Sequence, residues 1–128
     1  MNALTIILII LIVYLLFKQF YRPKYLKALT QEEFIKGYRK AQLIDVREPR
    51  EYDGGHILGA RNIPLSQIRH RLNEIRTDQP VYLYCQSGIR CTQAAQILKK
   101  KRGVKELYYL KGGFKKWTGK INKKKPSF

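Results

Sequence analysis

Residues 81–98 constrain the fold more than any other stretch of the chain. Val81-Tyr82-Leu83-Tyr84 is apolar and β-branched or aromatic, the composition of a buried strand. Thr92-Gln93-Ala94-Ala95-Gln96-Ile97-Leu98 has helix-forming composition and spacing. Only Cys85-Gln86-Ser87-Gly88-Ile89-Arg90-Cys91 joins them, so the layout is strand, tight loop, helix. Loop amides ahead of a helix start point into a common centre and carry partial positive charge. A thiol at the first loop position is drawn toward thiolate there, and Arg90 acts in the same direction. The blander alternative is an inert buried cysteine closing a core strand. A loop glycine, a closing arginine and a helix start all accompany Cys85, and together they favour the reactive reading.

The rest of the chain repeats the alternation. Residues 25–29 read as a first short strand. Thr30 with Glu33 forms a capping box that opens a helix running to about Arg39. A second strand covers 42–46. Glu48-Pro49 then opens a short helix, with proline in its first turn, and Gly54-Gly55 ends it. Residues 60–63 give a brief third strand, and Ser66 caps a helix carrying Ile68, Leu72 and Ile75 on one face. The strand at 81–84 and its helix, which continues to about Arg102, are followed by a fifth strand at 106–110. Gly112-Gly113 turns into a last helix ending near Trp117. Strands alternating with helices predict an α/β fold with a parallel sheet. Ligands bind outside the carboxyl edge of such sheets. Three turns should meet there: Asp45-Val46-Arg47, the Cys85 loop, and Lys111-Gly112-Gly113.

The loop from Tyr84 to Cys91 resembles the active-site loop of rhodanese-domain sulfurtransferases. Two more stretches resemble that family, in the expected order. Asp45-Val46-Arg47-Glu48-Pro49 through Glu51-Tyr52, with residues 55–65, is similar to its first signature, and Gly112-Gly113-Phe114-Lys115-Lys116-Trp117 to its last. The resemblance covers roughly residues 26–119. It implies a rhodanese-like five-stranded parallel sheet flanked by helices, working without a cofactor. It also implies a ping-pong sulfur transfer, with Cys85 attacking the outer sulfur of a donor such as thiosulfate. The resulting persulfide would be cradled by the amides of Gln86, Ser87, Gly88, Ile89 and Arg90, and a thiol or protein acceptor of unknown identity would then take the sulfur.

Two roles are open to Arg90: offsetting the donor's negative charge, or purely bracing the loop. Asp45 and Arg47 read as braces of neighbouring turns, and Gly112 and Gly113 as turn residues that also let backbone approach the loop. His56 reads as a structural hydrogen-bonding residue, His70 as solvent-facing, and Phe114 and Trp117 as core contacts. Cys91 departs from the family pattern, which commonly has serine after the loop arginine. It is either a small helix-start residue or a resolving thiol for an oxidised Cys85. The two cysteines form no C-x-x-C pair, which argues against a disulfide framework and a zinc site; no metal is expected.

A chain of 128 residues has room for one domain, and its net charge of +17 is unevenly spread. Residues 41–98 are close to neutral, so the excess lies in the flanks, mostly as lysine. Residues 3–17 are unbroken apolar sequence apart from Thr5. With their borders they approach a bilayer span, and bulky Phe20, Tyr21 and Arg22 take the place of a signal-peptidase site. The expected organisation is a transmembrane anchor at 1–21, a basic linker at 22–25, the rhodanese-like domain at 26–119 and a basic tail at 120–128. Lys18, Arg22, Lys24 and Lys27 follow the apolar run at once. The positive-inside rule then gives a single-pass protein of the cell membrane, N-terminus outside and catalytic domain cytoplasmic. The lysine tail suits anionic lipid headgroups or a solvated state, and no specific nucleic-acid partner is expected. Two rival functions remain, a cysteine-dependent phosphatase and a non-catalytic membrane-tethered binding module.

Overall fold

A computed structural model describes residues 1–20, 25–86 and 89–123, and among these the side chains of all but Gln19, Phe20 and Ile89. Five strands form a single parallel sheet: β1 (Leu26–Leu29), β2 (Gln42–Asp45), β4 (Arg61–Asn62), β5 (Val81–Tyr84) and β6 (Leu107–Leu110), in the order β1-β6-β5-β2-β4. Each falls within a segment whose composition predicts a strand. The apolar runs Leu43-Ile44 and Val81 through Tyr84 are almost wholly buried, as strands covered on both faces must be.

Alternation along the strands divides the core in two. Ile44, Val46, Val81, Leu83 and Leu107 pack with Ala94, Ala95 and Leu98 of α4 (Ile89–Ile97) and the turn after it. Leu43, Tyr84 and Leu110 pack on the other face with Phe34 of α2 (Gln31–Gly37), and Phe114 and Trp117 close that side. Phe34 is completely buried and lies edge-on to Trp117, so its truncation should cost about 3–5 kcal/mol. Helix α2 carries the predicted capping box. Thr30 Oγ1 accepts the Glu33 N–H, and the Glu33 carboxylate accepts the Thr30 N–H at 3.1 Å.

Several expectations need correction. The helix expected after Ser66 is two 3₁₀ turns, Ile68–His70 and Leu72–Glu74, broken at Arg71, whose backbone leaves the helical region. Ser66 does not cap it; its hydroxyl donates to Glu48 at 3.3 Å. The last helix is one 3₁₀ turn, Phe114–Lys116. A second, two-stranded antiparallel sheet pairs β3 (His56–Ile57) with β7 (Ile121–Asn122), past the position expected to close the domain.

The apolar N-terminal run is helix α1 (Ala3–Phe20), and its apolar side chains are exposed on every side, from 45% at Ile6 to 77% at Leu4. The transmembrane helix is not found: among the described residues, no helix is long and apolar enough to cross a membrane. Eighteen residues rise only ~27 Å, and the last turn contains Lys18 and Gln19. The expected basic linker lies almost wholly outside the described residues, as does the tail after Lys123.

Candidate active site

The chain leaves β2 toward β4 on one side and β5 toward β6 on the other, so a topological switch point lies between the carboxyl ends of β2 and β5. Cys85 is the first residue beyond β5, and the pleat turns its side chain into the α4 face of the core, where it is 1% exposed. The turn after β6 holds the loop from outside. Cys85 accepts the Phe114 N–H at 2.8 Å through its carbonyl, and Gln86 accepts the Lys115 N–H at 3.3 Å. Gly113 makes this approach possible. Its φ is +69°, and a Cβ built there would lie 2.6 Å from the Cys85 carbonyl oxygen. Gly112 also has positive φ, +84°.

Asp45 and Arg47 lie beside this loop as a buried ion pair. Arg47 donates from Nη2 to Asp45 Oδ2 at 2.7 Å and from Nε to both carboxylate oxygens. It donates onward to the Gly55 carbonyl at 2.6 Å and to the Gln86 side-chain oxygen at 3.3 Å. Its guanidinium carbon lies 4.2 Å from the centre of the Phe114 ring. Burial works against this charge, but the hydrogen bonds and charge of Asp45 outweigh it and raise the guanidinium above its ordinary value. One arginine therefore ties together the turns after β2, α3 (Pro49–Asp53) and β5. The Tyr84 hydroxyl lies beside this network, accepting the Ile57 N–H at 3.0 Å. Burial first, and then the Asp45 charge, push that phenol far above its usual range.

Arg90, in the first turn of α4, donates from Nη1 to Glu51 Oε1 at 2.7 Å. The same oxygen accepts the Glu48 N–H at 3.1 Å, completing a capping box on α3. Partial burial raises the Glu51 carboxyl, but Arg90 and the Glu48 amide outweigh it and hold the group below the ordinary carboxylate range. Cys91 is completely buried, in the same apolar cluster as Cys85. Burial first, and then the neighbouring Cys85 and Asp45, push the Cys91 thiol well up.

The backbone of Ile89 opens α4; Ser87 and Gly88 lie outside the described residues. His56 stacks on Tyr52 at 3.7 Å, and its Nδ1–H donates to the Tyr52 carbonyl at 2.9 Å. His70 is exposed. Among the described residues, no cluster of three His, Cys, Asp or Glu side chains is placed to hold a metal ion. Sequence reasoning missed three supports: Glu51, the Tyr84 hydroxyl, and Asn62, whose side-chain amide donates to the Asp45 and Arg47 carbonyls. The spacing of Glu48 and Glu51 was the available signal for the first.

Comparison with known proteins supplies the classification. The family described as the rhodanese-like domain matches residues 23–120, over three quarters of the chain. This chain belongs to the rhodanese-like domain family. The uncharacterized protein YqhL of Bacillus subtilis is 64% identical over 114 residues, spanning 89% of this chain and 90% of the relative. The thiosulfate sulfurtransferase GlpE of Shewanella oneidensis is 33% identical over 79 residues, 62% of this chain and 77% of that protein. Among solved structures, reduced Bacillus anthracis CoADR-RHD superposes with a TM-score of 0.63 at 36% identity, over 71% of this chain and 16% of that one. Of the rhodanese-like hallmarks, the cysteine loop, the Asp45–Arg47 turn and the Gly112-Gly113 turn meet at one sheet edge.

Proposed function

We propose that this rhodanese-like domain is a sulfurtransferase or sulfur carrier that passes sulfane sulfur through a persulfide on Cys85, with thiosulfate as a competent donor. The observation that carries the reading is the position of Cys85, at the switch point and at the mouth of a loop whose closing arginine is fixed by Glu51. In the first half-reaction the Cys85 thiolate forms a bond to the outer sulfur of thiosulfate. The bond from that sulfur to the sulfonate sulfur breaks, and sulfite leaves with the electron pair. In the second, an acceptor thiolate attacks the outer sulfur of the persulfide, and Cys85 leaves as thiolate. On this reading the charge that develops on sulfur is met by backbone donors of the loop, the role that the family resemblance implies for them. Mass spectrometry after exposure to thiosulfate should find one added sulfur atom on Cys85. Cys85→Ser should lose that adduct and all transfer while remaining folded, because a serine hydroxyl is a far weaker nucleophile at neutral pH. Wild-type transfer in that variant would overturn the mechanism.

The same proposal places the domain at a bilayer through α1. Supporting it are the exposed apolar circumference of that helix and Lys18 in its last turn. Its apolar side chains can enter the headgroup and acyl boundary while Lys18 snorkels back toward water. The cations that follow, Lys18 to Lys27, put the domain on the cytoplasmic side.

A further inference from the structure

The amino edge of the parallel sheet carries a concentration of charge that the sulfur chemistry leaves unused. Leu26, Leu107, Val81 and Gln42, the first residues of β1, β6, β5 and β2, stand side by side in register, so the segments leading into them share one edge. Residues 39–41, 76–80 and 98–106 lead into β2, β5 and β6 and hold eight cations and two acids. Of the acids, Asp78 is already bound to Arg76 at 2.8 Å. Lys99, Lys100 and Lys101 in the turn Leu98–Arg102, and Lys105 just beyond it, are all exposed. Among the described residues none of these four lysines is in an ion pair. Arg102 pins their turn, donating to the Ile75 carbonyl at 2.8 Å.

The chain arrives from α1 at this same edge. Tyr25 precedes β1, and Lys99 Nζ lies 5.8 Å from the centre of its ring. Phe20 ends α1, and residue steps of at most ~3.6 Å keep it within ~18 Å of Tyr25 by any path. We infer that this edge is a docking surface for anionic phospholipid headgroups, holding the domain against the bilayer with the Cys85 loop turned to the water. The docking rests on the bilayer reading of α1 and goes beyond it by fixing which side of the domain meets lipid. A helix seated in lipid makes the second contact intramolecular, so a weak attraction per charge suffices. Each lysine within a Debye length of an anionic surface raises the docked-to-free ratio roughly fivefold. Cys85 stands at the other end of the four-residue strand β5, ~13 Å further out. Nucleic-acid phosphates suit the same lysines, but lipid is what the chain itself brings to them.

The test is brief acetylation of the full chain on vesicles, read lysine by lysine by mass spectrometry. One set of vesicles is phosphatidylcholine alone, the other equal parts phosphatidylcholine and phosphatidylglycerol. Lys99, Lys100, Lys101 and Lys105 should react at least about fivefold more slowly on the anionic vesicles, the equivalent of one lysine held at the surface. Lys111, Lys115 and Lys116, exposed beyond the carboxyl end of β6, should react equally on both. High salt should abolish the difference. The double substitution Lys100→Glu with Lys101→Glu should remove the protection of Lys99 and Lys105 and leave sulfur loading of Cys85 unchanged. Were that variant to misfold, the lipid and salt comparisons on the wild-type chain would still decide. Equal reactivity on the two vesicles, or protection of Lys111, Lys115 and Lys116 instead, would overturn the docking. Protection by polyuridylic acid with none from anionic vesicles would also overturn it, and assign the edge to nucleic acid. Failure of the chain to sediment with neutral vesicles would overturn the bilayer reading of α1, whereas sedimentation without lysine protection would overturn the docked edge alone.

Discussion

Arg90 and Glu51 lie 39 residues apart in sequence and meet at 2.7 Å, so the arginine that closes the cysteine loop is held by the capping carboxylate of a different helix. Because both side chains are partly exposed, the pair should contribute under about 1 kcal/mol to stability. Its pH dependence has a definite sign. The folded-state Glu51 pKa is depressed, so the contribution is fully present above the unfolded carboxylate's ordinary value of about 4.3 and is lost as pH falls below it. Glu51→Gln should therefore melt below wild type at neutral pH and converge with it in acid. A melting difference that persists undiminished at the acid end would mean that the ion pair is not its source.

The Asp45–Arg47 pair is a larger lever. Its side chains are 0% and 3% exposed, and the guanidinium also ties down Gly55 and Gln86. Asp45→Ala leaves a buried cation without its counter-charge, at a cost of about 3–5 kcal/mol. Urea denaturation should show that loss, and sulfur loading of Cys85 should fall with it, since the loop loses a support. A shift under about 1 kcal/mol would mean that solvent reaches Arg47 after all.

Gly113→Ala tests the backbone approach. The new methyl would sit 2.6 Å from the Cys85 carbonyl oxygen at a φ of +69°, so both sterics and backbone strain oppose it. The expected cost is about 1–3 kcal/mol, with slower alkylation and sulfur loading of Cys85. Gly103, where a Cβ meets nothing within 4 Å at φ +74°, is the control. Gly103→Ala carries the strain without the clash and should leave Cys85 reactivity unchanged. Equal effects of both variants on Cys85 would sink the argument.

The sheet was most legible at β5 (Val81–Tyr84) and β6 (Leu107–Leu110), unbroken apolar and aromatic runs of four residues. Thr30 with Glu33 marked α2 by spacing alone. The segment from Ser66 to Ile75 misled for a physical reason. Ile68, Leu72 and Ile75 satisfy helical spacing, yet two 3₁₀ turns meeting at Arg71 bury Ile68 and Ile75 just as completely. Burial pattern cannot separate those solutions in so short a stretch. The β3–β7 pair escaped because two-residue strands are too short for alternation to register. At the site, the residues sharing the sheet edge were readable from topology. The contacts among them were not: nothing in the order of residues says that Arg90 turns to Glu51, or that Arg47 reaches the Gln86 side chain.

Membrane attachment through α1 predicts fractionation with membranes that resists high salt. A contact made by lysines alone would be released as salt screens it, whereas apolar side chains in lipid are insensitive to ionic strength. Deleting residues 1–20 should free the domain. Protease added outside right-side-out vesicles should spare Cys85, and digestion from that side would reverse the proposed orientation.

Loop size separates sulfur from phosphate chemistry. The phosphatase alternative implies a cysteine and an arginine with five residues between them, whereas four, Gln86 to Ile89, separate Cys85 from Arg90 here. A shorter loop draws its amides closer around the thiolate. That suits one additional sulfur atom better than a phosphoryl group, whose three equatorial oxygens each need donors. Arg90 is already engaged with Glu51, which leaves it less free to wrap an oxyanion from both sides. The unmodified protein should therefore transfer sulfane sulfur and show negligible hydrolysis of aryl phosphates. Inserting one glycine between Gly88 and Ile89 should weaken sulfur loading of Cys85 and improve binding of phosphate-like oxyanions such as vanadate. Substantial aryl phosphatase activity in the wild-type protein, abolished by Cys85→Ser, would replace the sulfurtransferase reading with the phosphatase one.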